Sequence, residues 1–120
     1  GQNEIYHNDD LKLGTVLFDG ASSKLTKEAK RALDTCVWKM QSKPLKHVKI
    51  VTFNKEHCNK CSKRSWKRTK TILKYLSKNG IFENRLLSEN RLGNIRDKVE
   101  IYLITPITDR PHPSVKNIDE

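Results

Sequence analysis

A chain of 120 residues has room for one hydrophobic core and not for two. Its hydrophobic fraction of 35% is low, as is its mean hydropathy of −0.75, yet the apolar residues fall into patterned clusters, which excludes a disordered chain. The formal charge of +10 attracts anions without naming one, and no apolar run approaches the ~20 residues that a bilayer-spanning helix needs.

Residues 1–13 are mostly polar and read as a loose lead-in. GTVLFDG, 14–20, alternates Val16 and Phe18 against Leu17 between two glycines, the pattern of a strand that ends in a turn. After Thr26, the residues Ala29, Leu33, Cys36, Val37 and Met40 recur at steps of three and four, which predicts an amphipathic helix that Pro44 closes. HVKIVTF, 47–53, is a second strand, with Val48, Ile50 and Thr52 on one face and Val51 and Phe53 on the other. Beyond a polar loop, Ser62 or Ser65 caps a second helix whose apolar stripe is Trp66, Thr69, Ile72, Leu73 and Leu76, and Asn79-Gly80 gives it a left-handed stop. ENRLLSEN, 83–90, predicts a short third strand and KVEIYLIT, 98–105, a fourth, with the turn residues Leu92-Gly93-Asn94 between them. The segment 106–120 holds three prolines without periodicity and reads as an extended tail.

Two helices with one apolar stripe each must cover a sheet. The order strand, helix, strand, helix, strand, strand therefore predicts an α/β two-layer sandwich, a mixed sheet with both helices on one face. The chain divides into the lead-in 1–13, a domain 14–105 and the tail 106–120.

The loop after the second strand carries the most tempting chemistry, Cys58-x-x-Cys61 with His57 beside it. Zinc requires four ligands and this segment offers three at best, since Cys36 falls on the buried face of the first helix. A thioredoxin-type redox site needs its first cysteine directly at a helix N-terminus, and Ser62 and Ser65 stand nearer that position. The plainer readings are a Cys58–Cys61 loop disulfide in an oxidising compartment, or idle thiols in a reducing one.

A basic run follows: Lys55, Lys60, Lys63, Arg64, Lys67, Arg68, Lys70 and Lys74. It suits phosphate contacts, but the interleaved aromatics of a base-stacking surface are nearly absent, so a solvated helix face is the simpler account and nucleic acid a minor alternative. His7, His47, His57 and His112 lie in unrelated segments, and neither paired carboxylates nor a glycine-rich phosphate loop accompanies them. These residues point to no enzyme, cofactor or metal.

The residues within the elements resemble one known family. VLFDGASSKLTKEAKRALD is similar to the opening of the OmpA-like, peptidoglycan-binding domain, in which a strand ending in Phe-Asp leads through a small-residue turn to a Leu and an Ala- and Leu-rich helix. VKIVTFNK falls where that family has a strand running into Gly-His-Thr-Asp. Ser65 and Arg68 match its Leu-Ser-x-x-Arg-Ala helix, and RDKVEIYLI resembles its Asn-Arg-Arg-Val-Glu-Ile strand. The likeness covers residues 14–105.

What the resemblance implies is a divergent member. In the family, the Asp takes the ammonium and the Arg the carboxylate of diaminopimelate in the peptidoglycan stem peptide. The equivalent ligand positions here are Thr52, Asn54, Lys55, Ser65 and Arg68, with Lys55 in place of the Asp. Exchanging an acceptor for a cation removes a charge-assisted bond of about 1.5–3 kcal/mol and adds repulsion, a loss of roughly tenfold to a few hundredfold in affinity. The resemblance thus implies a non-catalytic cell-envelope module, periplasmic and outer-membrane-associated, a lipoprotein or subunit of an assembly such as a secretion system. It would contact envelope proteins, bind peptidoglycan weakly or not at all, and reach the membrane only through an upstream anchor. Genuine stem-peptide binding is the alternative, with Asn54 or a carboxylate from elsewhere taking the ammonium.

Overall fold

The computed structural model describes residues 11–93 and 97–105. Its elements are β1 (Leu11–Leu17), α1 (Lys27–Gln41), β2 (His47–Asn54), α2 (Asn59–Lys78), a 3-10 turn at Glu83–Arg85, β3 (Leu86–Leu92) and β4 (Lys98–Ile104). The sheet order is β1-β4-β2-β3. β2 and β3 run parallel, whereas β4 is antiparallel to both β1 and β2. The chain is therefore an α/β sandwich on a mixed sheet, as its periodicity predicts.

α1 forms where its pattern places it. Thr26 Oγ1 accepts a hydrogen bond from the Ala29 amide at 3.0 Å, Glu28 lies in the positive first turn and Lys39 in the negative last one. Its buried residues are Ala29, Leu33, Cys36, Val37 and Met40. They pack with Ile72 and Leu76 of α2 on one face of the sheet, made by Val16, Val48, Ile50, Val99, Ile101 and Leu103. Each fully buried aliphatic side chain here contributes about 1.5–3 kcal/mol. α2 ends in a left-handed Gly80, with the Gly80 amide bonded to Ser77 O and the Ile81 amide to Leu76 O.

The opposite face of the sheet is polar. Lys12 Nζ meets Glu100 Oε2 at 3.0 Å, Tyr102 donates to Glu100 Oε1 at 2.8 Å, and Glu89 takes Lys49 Nζ at 3.1 Å and Arg91 Nε at 2.8 Å. The Arg91 hydrogen bond, opposed by partial burial and reinforced by Lys49, holds the Glu89 carboxyl down at about 2.

Three boundaries and the burial of one side chain differ from the sequence expectation. β1 starts at Leu11 and not at Gly14, because Leu11 pairs with Leu103 and an irregularity between Lys12 and Gly14 resets the alternation, which buries Leu13. β3 is shifted to 86–92, since Glu83–Arg85 is held as a tight turn whose Arg85 guanidinium donates to Lys43 O at 2.8 Å and Lys46 O at 2.8 Å. α2 starts at Asn59, ahead of both candidate serine caps. Finally, Trp66 is 55% exposed; the side of α2 that faces the sheet is Ser65, Arg68, Thr69, Ile72 and Leu76. The rest of the lead-in, the tail 106–120 and Asn94 of the third turn lie outside the described residues.

Candidate functional site

The topology gathers the loops at one end of the sheet. Leu17 at the end of β1 pairs with Lys98 at the start of β4, and Asn54 at the end of β2 pairs with Leu92 at the end of β3. The connections 18–22 and 55–58, the ends Gly93 and Asp97 of the connection between β3 and β4, and the first turns of α2 therefore converge there. Left-handed conformations at His57 (φ 58°) and Asp97 (φ 61°), uncommon for residues other than glycine, turn two of these connections.

Arg68 organises this end. The residue is 5% exposed; Nε donates to Ser22 O at 3.0 Å, Nη2 donates to Gly20 O at 2.6 Å and to Asp97 Oδ1 at 3.1 Å, and the guanidinium lies 4.7 Å from the centroid of the Phe18 ring. Phe18 N in turn donates to Asp97 O at 2.8 Å. One cation thus ties α2 to the turn after β1 and to the residue that opens β4.

Beside it opens a cavity of about 250 Å3 whose wall includes Lys55, Cys58, Lys60, Cys61, Arg64 and Asp97. Cys58 and Cys61 are joined by a disulfide. Cys58 is the N-cap of α2, with its Sγ accepting from the Cys61 amide at 3.2 Å. This corrects the sequence reading, which gave that position to a serine; the left-handed His57 swings the chain into the helix before Ser62 is reached. Cys36 is elsewhere, 1% exposed, and burial pushes its thiol up to about 11.

The five family-equivalent positions do not share one pocket. Lys55, Ser65 and Arg68 line the cavity just described, while Thr52 and Asn54, with Ser65 again, line a neighbouring one of about 220 Å3 between β2, β3 and α2. A polar seam divides the two. The Asn54 amide lies 3.1 Å from Ser62 Oγ, 3.0 Å from Asn90 Oδ1 and in a short hydrogen bond with Ser65, and Asn90 Nδ2 donates to Thr52 Oγ1 at 2.7 Å. Asn54 is thus occupied in holding β2, β3 and α2 together.

Asp97 is the residue that sequence reasoning missed. Its signal was its place immediately before β4: once β4 pairs antiparallel with β2, the start of the one lies beside the end of the other.

Lys67, Lys70, Lys74 and Lys78 line a wide groove on α2 opposite Lys24. Of the aromatics near it, Tyr75 donates to Asp34 Oδ1 at 2.6 Å and Trp66 takes Lys70 Nζ at 5.8 Å from its ring centroid. Among the described residues, no cluster of three His, Cys, Asp or Glu side chains is placed to hold a metal ion, and no helix is long and apolar enough to cross a membrane.

No protein-family sequence model matches the chain, and no curated protein matches it by sequence. Solved structures do match. The OmpA-like domain of FopA1 from Francisella tularensis superposes with a TM-score of 0.66 at 16% identity, over 82% of this chain and 75% of that one. The peptidoglycan-associated lipoprotein from Burkholderia pseudomallei gives 0.60 at 17% identity, over 75% of this chain and 89% of that one. The periplasmic domain of Helicobacter pylori MotB (residues 97–256) gives 0.60 at 18%, over 83% and 82%.

Proposed function

We propose that this chain, which has the OmpA-like fold, is a non-catalytic structural module of the Gram-negative cell envelope. In this reading it serves in the periplasm as a lipoprotein or subunit of an outer-membrane-associated assembly such as a secretion system. The OmpA-like, peptidoglycan-associated and MotB neighbours support the envelope setting.

Two observations support the reading that the ordinary peptidoglycan mode is lost. The Arg68 guanidinium, which in that mode takes a carboxylate, is engaged through Nε and Nη2 with Ser22 O, Gly20 O and Asp97, and Lys55 stands where the ammonium's acceptor belongs. A zwitterionic guest finds mainly positive groups. The same charge attracts an acidic protein surface and raises its encounter rate.

Amide-shift titration with a diaminopimelate-containing muropeptide tests this. Silence at Thr52 to Lys55 and at Arg68 up to millimolar ligand is the expected result. Saturable shifts there would establish the second reading, genuine stem-peptide binding. Asp97 favours that alternative, as a carboxylate in the cavity wall with a side chain 36% exposed.

A further inference from the structure

Nothing in the scaffold role uses the Cys58–Cys61 pair. A bridge between residues three apart closes one of the shortest loops a disulfide can close, so it restrains the unfolded chain little. Its surroundings, in contrast, are arranged for an anion at sulfur. Cys58 Sγ caps α2 and accepts the Cys61 amide. The first turn of α2 holds no acidic residue, whereas α1 has Glu28 there, so the positive helix end is left facing the sulfur. Lys55 from the loop and Lys60 and Arg64 from α2 share the cavity wall with both cysteines. Of the remaining charged neighbours, Asp97 is paired with Arg68, and the Glu56 side chain is 70% exposed to solvent. Both sulfur residues are half-buried and border open space large enough for a partner's side chain.

We infer that Cys58–Cys61 is a redox-active disulfide that exchanges with thiols, Cys58 being the sulfur that forms and leaves the mixed disulfide. A substrate thiolate attacks Cys58 Sγ; the Cys58–Cys61 bond breaks, and its electron pair leaves on Cys61, which takes a proton from solvent. A second substrate thiolate then attacks the substrate sulfur of the mixed disulfide, and Cys58 departs as a thiolate held by the helix end and the cations. The substrate dithiol loses two electrons and two protons and becomes a disulfide, and the protein pair holds the two electrons as a Cys61 thiol and a Cys58 thiolate, the second proton remaining in solvent. An external disulfide restores the bridge by the reverse sequence. Because the reduced form is the one stabilised, the pair acts as an oxidant of thiols. The ring of cations selects thiols carried on anionic molecules, whether a small thiol or an acidic polypeptide.

The test starts with the reduced wild-type protein and the ultraviolet absorbance of thiolate against pH. One thiol is expected to ionise at least one unit below the ~8.5 of free cysteine; Cys36, pushed up to about 11, stays silent in that range. Lys60→Ala and Arg64→Ala should each raise the midpoint. Cys61→Ser, which leaves Cys58 alone, should react with an anionic aromatic disulfide faster than Cys58→Ser. One unit of lowering multiplies thiolate tenfold and reduces its nucleophilicity about threefold, a net gain of about threefold per unit. The oxidised wild type is then offered glutathione and, separately, a reduced acidic dithiol peptide. Exchange with either supports the inference, and the faster of the two identifies the kind of thiol. A midpoint at or above ~8.5, equal reactivity of the two single-cysteine variants, or a bridge inert to both thiols would overturn it.

Discussion

Replacing Arg68 separates a guanidinium that holds the fold from one that waits for a ligand. Hydrogen bonds to a charged group are worth about 1.5–3 kcal/mol each, so the three to Gly20 O, Ser22 O and Asp97 Oδ1 amount to several kcal/mol before exposure is considered. Gly20 is exposed and the Asp97 side chain is 36% exposed, so water replaces the guanidinium for those two at small cost. What stays lost is the Ser22 bond, the Phe18 stack at 4.7 Å, worth about 0.5–2 kcal/mol, and the packing of the buried stem. Arg68→Ala should therefore destabilise the domain by about 3 kcal/mol, a fall in Tm of roughly 10 °C for a chain of this size. Arg68→Lys keeps the charge without the fork and should lose about half of that. Urea unfolding reads both through the midpoint at constant slope. If both variants stay within ~0.5 kcal/mol of wild type, Arg68 does not tie the loops together, and its guanidinium is available to an outside carboxylate.

Lys55→Asp should strengthen muropeptide binding by roughly tenfold to a few hundredfold, read by the same amide titration; a weaker variant would place the ammonium elsewhere. The Glu89 carboxyl, depressed from 4.5 to about 2 by Arg91 and then Lys49, contributes stability that is complete above pH 4.5 and is lost as pH falls toward 2. Glu89→Gln should flatten that part of a stability–pH curve, and an unchanged curve would remove the assignment. Reducing Cys58–Cys61 should lower stability by no more than about 2 kcal/mol, the loop-closure value for so short a bridge, as measured by urea unfolding with and without reductant.

Where local pattern and tertiary packing agree, the fold is legible in the sequence. α1 is the clearest case: a threonine cap, five apolar positions at helical steps, and those same five buried. α2 is legible only in its second half. Its first half buries Ser65 and Arg68, polar residues that no hydrophobic count selects, and thereby pushes Trp66 outward. Its cap escaped detection because the cap scale favours serine over cysteine, while the turn is made by a left-handed His57 with no local signature. The site is legible as a set of residues and not as a geometry. Likeness to a known helix and strand marks Ser65 and Arg68, but only the β1-β4-β2-β3 order sets Asp97 beside Arg68, and only the Asn54–Ser65 contact parts Thr52 from Lys55.

The pairing of Leu11 with Leu103, at the end of the sheet remote from Arg68, sets how the domain would respond to tension. Tension between the segments that flank β1 and β4 would unzip that ladder one rung after another, a weak arrangement. Tension between the Leu11 end and a partner gripping the loops around Arg68 would instead run along the strands and strain all rungs of the ladder at once. A tether that pulls on one pole while a partner grips the other therefore engages the sheet in its tougher direction.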